Sequence, residues 1–279
     1  MKSRITILLM VLSLFSVKGW AQITMTMSFD RETYLLYESI PVKVDITNIG
    51  DQSITFQNNA EGFSDWVRFT IYRADGSKVS SEKGTELPPL TLPVGETRSV
   101  IIDITPAYSL RETGQYTIQT VITVPGKKPF ITGSRIFYIG KGDTIWSEQR
   151  VESGSKRVYS LIKFLSQRES FLYARVEEPS SNIVYATQRL GRYTAFTDPV
   201  VRFDSAGGLH VVHTLSGQTY RYSAMDSDGG LTSQEDRMIQ GERPSLVNNG
   251  SGGIRFIGGT SMQEKKIRPK LSEGQQGLM

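Results

Sequence analysis

The chain has 279 residues, with 32 Lys and Arg against 28 Asp and Glu, two histidines and no cysteine. Without cysteine there is no disulfide framework, thiol nucleophile or thiolate metal site, and two histidines leave little room for imidazole chemistry. The near-balanced charge excludes the broad basic field that a nucleic-acid binder presents.

The first residues, MKSRITILLMVLSLFSVKGWAQ, predict a secretory signal peptide over 1–21. Lys2 and Arg4 give a positive start, and Ile5 to Val17 an apolar run. Gly19 and Ala21 put small residues at the two positions that a signal peptidase reads. The run falls short of the roughly 20 apolar residues that a spanning helix needs. With Lys2, Arg4 and Lys18 removed, 29 bases face 28 acids. No later apolar run could span a membrane, so the expected location is secreted or periplasmic.

Residues 22–140 predict an immunoglobulin-like β-sandwich. Ile23, Met25, Met27 and Phe29 alternate with Thr and Ser, and Val42, Val44 and Ile46 with Lys43 and Asp45. Ile54 and Phe56 follow, then Val67, Phe69 and Ile71. Val100, Ile102 and Ile104 come next, then Tyr116, Ile118, Thr120 and Ile122. Ile136 and Tyr138 close the series. A period of two gives each strand one buried face, and about seven such strands in this length fit a sandwich. Turn signals separate them, among them Ala74-Asp75-Gly76-Ser77 and Leu92-Pro93-Val94-Gly95. Leu110 to Tyr116 reads as a tyrosine corner.

The stretches FDRETYLLYESIPVKVDITNIGDQ, LPPLTLPVGETRSVIIDI and LRETGQYTI resemble bacterial extracytoplasmic immunoglobulin-like domains. These include macroglobulin-type domains and the BsuPI-type proteinase-inhibitor family. The resemblance implies a domain type and opens one alternative function, proteinase inhibition. Asn58–Asp65 and Glu82–Leu90 are the candidate inhibitory segments, the second stiffened by Pro88 and Pro89.

Residues 141–156 read as a polar linker. Gly140-Lys141-Gly142-Asp143 lacks the third glycine and following helix of a phosphate loop. Residues 157–260 predict antiparallel β-meander, blade-like repeats, with Phe164, Phe203 and Val247 as corresponding positions. Their spacing and the Ser227-Asp228-Gly229-Gly230 turn are similar to BNR or sialidase-type propeller repeats. Only two and a half units fit, which implies meanders rather than a closed ring. Residues 261–279, with Lys265, Lys266, Arg268 and Lys270, read as a disordered tail.

The pattern around Leu209 to Leu215 is that of a strand, so His210 and His213 point to opposite faces and cannot share a metal. One is expected inward and the other on the surface. Asp226 and Asp228 resemble part of a calcium loop, but the final position of such a loop falls on Arg237. Adjacent carboxylates Glu177-Glu178 and Glu235-Asp236 would point apart on a strand, which does not suit glycoside hydrolysis, and they read as solvated turn residues. The sequence therefore predicts no catalytic, cofactor-binding or metal residues, and no cofactor. The expected function is a non-enzymatic binding or scaffold protein. Its partner would be a protein or glycan on the cell surface or in the periplasm, with no nucleic acid and no membrane span. A degenerate glycosidase-like propeller fragment is the other alternative.

Overall fold

The structure, a computed structural model, describes residues 23–266 except 60, 61, 86, 125, 153 and 240–242. The predicted signal peptide and the tail beyond Lys266 lie outside the described residues. Among the described residues every regular element is a strand, and no helix is long and apolar enough to cross a membrane.

The first ten strands are β1 (Ile23–Phe29), β2 (Thr33–Leu35), β3 (Pro41–Asn48), β4 (Ile54–Phe56), β5 (Val67–Arg73), β6 (Leu90–Leu92), β7 (Thr97–Asp103), β8 (Gly114–Ile122), β9 (Phe130–Ile131) and β10 (Arg135–Gly140). The chain divides into two compact units. The first takes the chain to Glu32, Ile40–Ser109 and Gln115–Phe137. The second takes Thr33–Ser39, Leu110–Gly114 and the chain from Tyr138.

In the first unit β3 lies between β1 and β7, and β8 lies between β5 and β10. The predicted alternation sets the faces. Val42, Val44 and Ile46 of β3, Val67, Phe69 and Ile71 of β5, and Tyr116, Ile118 and Ile122 of β8 are all buried. Thr120 completes the β8 face, where its hydroxyl donates to Met27 Sδ at 3.1 Å. The predicted face of β10 needs correction. Phe137 and Ile139 are buried, while Ile136 and Tyr138 are 47% and 43% exposed. Four consecutive apolar residues carry no period, so tertiary contact decides the phase, and Phe137 stacks on Tyr116. Asn48 ends β3 as a fully buried polar hub. Its Nδ2 donates to the carbonyls of Leu92 and Gln52, and its Oδ1 accepts from Gly50 N–H.

The second unit adds β11 (Asp143–Glu152), β12 (Ser155–Ser166), β13 (Glu169–Glu178), β14 (Ile183–Arg192), β15 (Val200–Phe203), β16 (Leu209–Ser216), β17 (Thr219–Met225), β18 (Leu231–Met238), β19 (Ser245–Asn248), β20 (Ile254–Ile257) and β21 (Thr260–Lys266). β11 to β14 form one antiparallel meander in chain order, a blade-like sheet. β15 to β18 form a second, extended by β21, and β19 pairs with β20. Here two boundaries need correction. The expected linker over 141–156 contains β11, paired with β12 from Asp143↔Lys163 to Glu152↔Ser155. The expected tail begins inside β21, which pairs with β18. The glycines read as linker serve close packing. A Cβ on Gly140 would lie 2.7 Å from Phe164, and one on Gly142 2.5 Å from Ile162.

The two meanders of this unit share a core. Tyr159, Leu161, Leu172, Val176 and Leu190 of the first meet Leu209, Val211 and Met225 of the second. On the opposite face of β16, Val212 packs with Tyr220, Leu246 and Phe256.

Three hairpins of this unit close in five-residue turns of one sequence pattern, which an alignment on Phe164, Phe203 and Val247 does not register. They are Asp204-Ser-Ala-Gly-Gly208, Asp226-Ser-Asp-Gly-Gly230 and Asn249-Gly-Ser-Gly-Gly253. In each, Oδ1 of the first residue accepts from the backbone N–H groups two and four residues on, a local bond that mimics a backbone turn. The fourth residue has positive φ, 81°, 84° and 86° at Gly207, Gly229 and Gly252. The fifth is glycine because the first side chain fills its Cβ space. An added Cβ at Gly208, Gly230 or Gly253 would lie 2.5–2.7 Å from that side chain.

Candidate functional site

A cleft of about 610 Å³ opens in the first unit. Its walls are the β5 residues Arg68, Phe69 and Thr70, residues Lys78 to Ser81 and Lys83 to Thr85, and Ser64 and Asp65. Two predicted segments, Asn58–Asp65 and Glu82–Leu90, meet here, which the sequence does not foretell. Ser64 N–H donates to Thr85 O at 2.8 Å, and Ser64 Oγ accepts from Leu87 N–H at 2.9 Å. Asn58 Nδ2 donates to Leu87 O at 2.7 Å. Ser64 is buried to 2% exposure, so its hydroxyl is a structural staple and not a free nucleophile.

β5 ends its sheet, and its outward backbone groups are engaged. Tyr108 Oη accepts from Phe69 N–H at 2.8 Å and donates to Phe69 C=O at 3.1 Å. Val79 N–H donates to Ile71 O at 2.9 Å, and Arg73 N–H to Ser77 O at 2.9 Å. Burial pushes the Tyr108 phenol above its ordinary range, which keeps it a neutral donor. The charged lining is cationic, Arg68, Lys78 and Lys83 against Asp65. Arg68 and Lys78 are exposed, and neither pairs with a carboxylate among the described residues.

The histidines lie in the second unit, on opposite faces of β16 as expected. Both are buried, 8% and 1% exposed, so the expected surface histidine is corrected. The cause is that β16 is covered on both sides. His210 Nε2–H donates to Asp204 Oδ2 at 2.9 Å, and its Nδ1 accepts from the Tyr222 hydroxyl at 2.7 Å. Both ring nitrogens are thus used, and neither is open to a metal. Burial raises the Asp204 carboxyl, but the His210 bond and the amides of Gly208 and Ala206 outweigh it and hold it below the usual range. Burial, with the charges of Asp204 and Glu235, lifts Tyr222 to about 12. A phenol so hard to ionise is a poor nucleophile near neutral pH, and the chain Asp204–His210–Tyr222 acts as a brace for its turn.

His213 Nε2–H donates to Arg192 O at 3.1 Å, and its Nδ1 has no partner among the described residues. Burial, reinforced by the Arg221 guanidinium, pushes this imidazole down to about 4. Most of the carboxylates singled out in the sequence are occupied as well, Glu178 by the Tyr185 hydroxyl at 2.7 Å. Asp226 closes its turn and Asp228 pairs with Arg157 at 2.6 Å. Asp236 takes Arg221 in a two-point pair, and Glu235 pairs with Arg237. Among the described residues, no group of three or more His, Asp and Glu side chains could hold a metal ion.

The molecule so defined is an all-β protein whose open, cation-bearing cleft lies apart in sequence from its histidines. No protein-family model matches the chain, and no curated protein matches it. Solved structures resemble it remotely. The YadV chaperone is 10% identical, with 77% of this chain and 99% of that one covered, at a TM-score of 0.26. A DUF4466 family protein from Parabacteroides merdae is 8% identical over 81% and 96%, at 0.25. The cycloalternan-forming enzyme from Listeria monocytogenes is 11% identical over 78% of this chain and 19% of its own, at 0.24. Likenesses at this level carry no argument about function.

Proposed function

We propose that this chain is a secreted or periplasmic, non-enzymatic binding or scaffold protein, with an immunoglobulin-like sandwich as its N-terminal domain and the blade-like meanders as its second. The observation that carries the reading is the cleft of the first unit. It is lined by hydroxyls and cations, while Ser64 and Tyr108 are tied into the backbone. In the other unit His210 is held at both ring nitrogens, and Glu235 and Asp236 pair with Arg237 and Arg221. Ser80 lines the cleft, and Ser80→Trp would fill it without touching either backbone staple. A thermal-shift screen of soluble glycans and peptides against both proteins tests the reading. A ligand that raises the Tm of the native chain alone supports it. Turnover of a bound ligand would overturn its non-enzymatic half.

A second reading, proteinase inhibition, has one observation in its favour. The two candidate segments are clamped together by Ser64 and Asn58, and Pro88 and Pro89 are exposed on the result. A rigid exposed loop is what an inhibitor presents. Loss of activity of a serine or cysteine proteinase at micromolar concentrations of this protein would support it, and unimpeded activity would end it.

A further inference from the structure

We propose that the cleft takes an acidic oligosaccharide, a ligand of hydroxyl-rich sugar units bearing carboxylates. The inference rests on the binding reading above. Three features select this chemistry. First, Arg68 and Lys78 are exposed cations without a carboxylate partner among the described residues, and they face one cleft with Asp65 as its acid. A concave wall with an excess of one charge concentrates ligands of the opposite sign.

Second, the aromatic rings of the cleft are turned into the core, and hydroxyls line its floor and walls. Phe69 and Tyr108 are only 4% and 6% exposed, while Thr70, Ser80, Ser81 and Thr85 supply hydroxyls. A polyol finds donors and acceptors.

Third, a peptide in extended form would bind by adding a strand to β5. That route is closed where the cleft lies. The backbone groups of Phe69 are held by Tyr108, and Ile71 O is held by Val79. Recognition must therefore run through side chains, which suits a sugar acid better than a strand.

Calorimetric titration of the chain from Gln22 with short oligogalacturonates, their methyl esters and poly-glutamate tests this. The ester keeps every sugar hydroxyl and removes the carboxylate charge. The expected result is saturable binding of the acid form and none of the ester. Binding should weaken at least about tenfold in Arg68→Gln/Lys78→Gln, and also as salt rises from about 0.05 to about 0.5 M. The salt series needs no variant, and the two exposed substitutions should leave Tm unchanged. Equal binding of acid and ester would overturn the charge argument and leave the binding reading intact. Tighter binding of poly-glutamate, lost in the same variant, would overturn the sugar argument. No binding of all three would overturn this inference, while a ligand displaced by Ser80→Trp would still sustain the wider reading.

Discussion

The Tyr108 hydroxyl holds both backbone groups of Phe69, 39 residues away, accepting from one and donating to the other. One oxygen thus does for the β5 edge what a further strand would do. Tyr108→Phe keeps the ring against Phe69 and leaves a buried N–H and C=O without a partner. The expected loss is about 1–3 kcal/mol in denaturant unfolding. The unblocked edge should also give concentration-dependent association, visible by light scattering. Unchanged stability would mean that water satisfies both groups.

Two positive-φ glycines, the fourth residue of one turn and the second of another, make a comparison within one protein. Gly229 has φ of 84°, and a Cβ there would lie 2.7 Å from Ala186 and 2.8 Å from Val176. Gly250 has φ of 79° with nothing within 4 Å. Gly250→Ala should cost about 1 kcal/mol for backbone strain alone. Gly229→Ala adds overpacking and should cost about 2–4 kcal/mol in all. Equal losses by thermal unfolding would show that the turn does not press on the neighbouring sheet.

These turns also show what the sequence discloses. Alternation in β1, β3, β5 and β8 exposes the buried face because one side of each strand is apolar. β11 and β18 escape that reading for the same reason. β11 is largely exposed along WSEQRV, and β18 carries Glu235, Asp236 and Arg237, whose charges are neutralised by pairing. Alternation reports burial, whereas strand pairing is a matter of backbone bonds. The paired glycines three residues after each Asp or Asn were a legible signal of the turn, at half the interval expected for a blade. The cleft was not legible. Its residues run from Ser64 to Val121, and the bonds that assemble it run through Ser64, Asn58 and Tyr108, which look like ordinary loop residues.

His213 supplies a pH test. Its folded value of about 4 lies below the ordinary 6.5, so between these limits the unfolded chain binds the extra proton. Stability is complete above pH 6.5 and is lost as pH falls toward 4, by up to about 1.4 kcal/mol per unit. His213→Gln should flatten the slope in that window, measured by chemical denaturation at several pH values. A native slope that persists in the variant would place the titrating group elsewhere.

The bracing role of His210 predicts silence toward metals. Zinc added to chelator-treated protein should leave Tm unchanged, since Asp204 and Tyr222 occupy both ring nitrogens of His210. Tyr222→Phe removes one bond of the brace and should cost about 1–2 kcal/mol. A saturating rise in Tm at low micromolar zinc, absent from His210→Gln, would reveal a site where this account has a brace.

We propose that this protein meets its ligand in the cleft of the first unit. Hydrogen exchange of the chain with and without saturating oligogalacturonate measures this directly. Slowed exchange is expected, confined to residues 63–70 and 78–85, with the turns at Asp204, Asp226 and Asn249 unaffected. Protection centred on those turns, with none along β5, would contradict it.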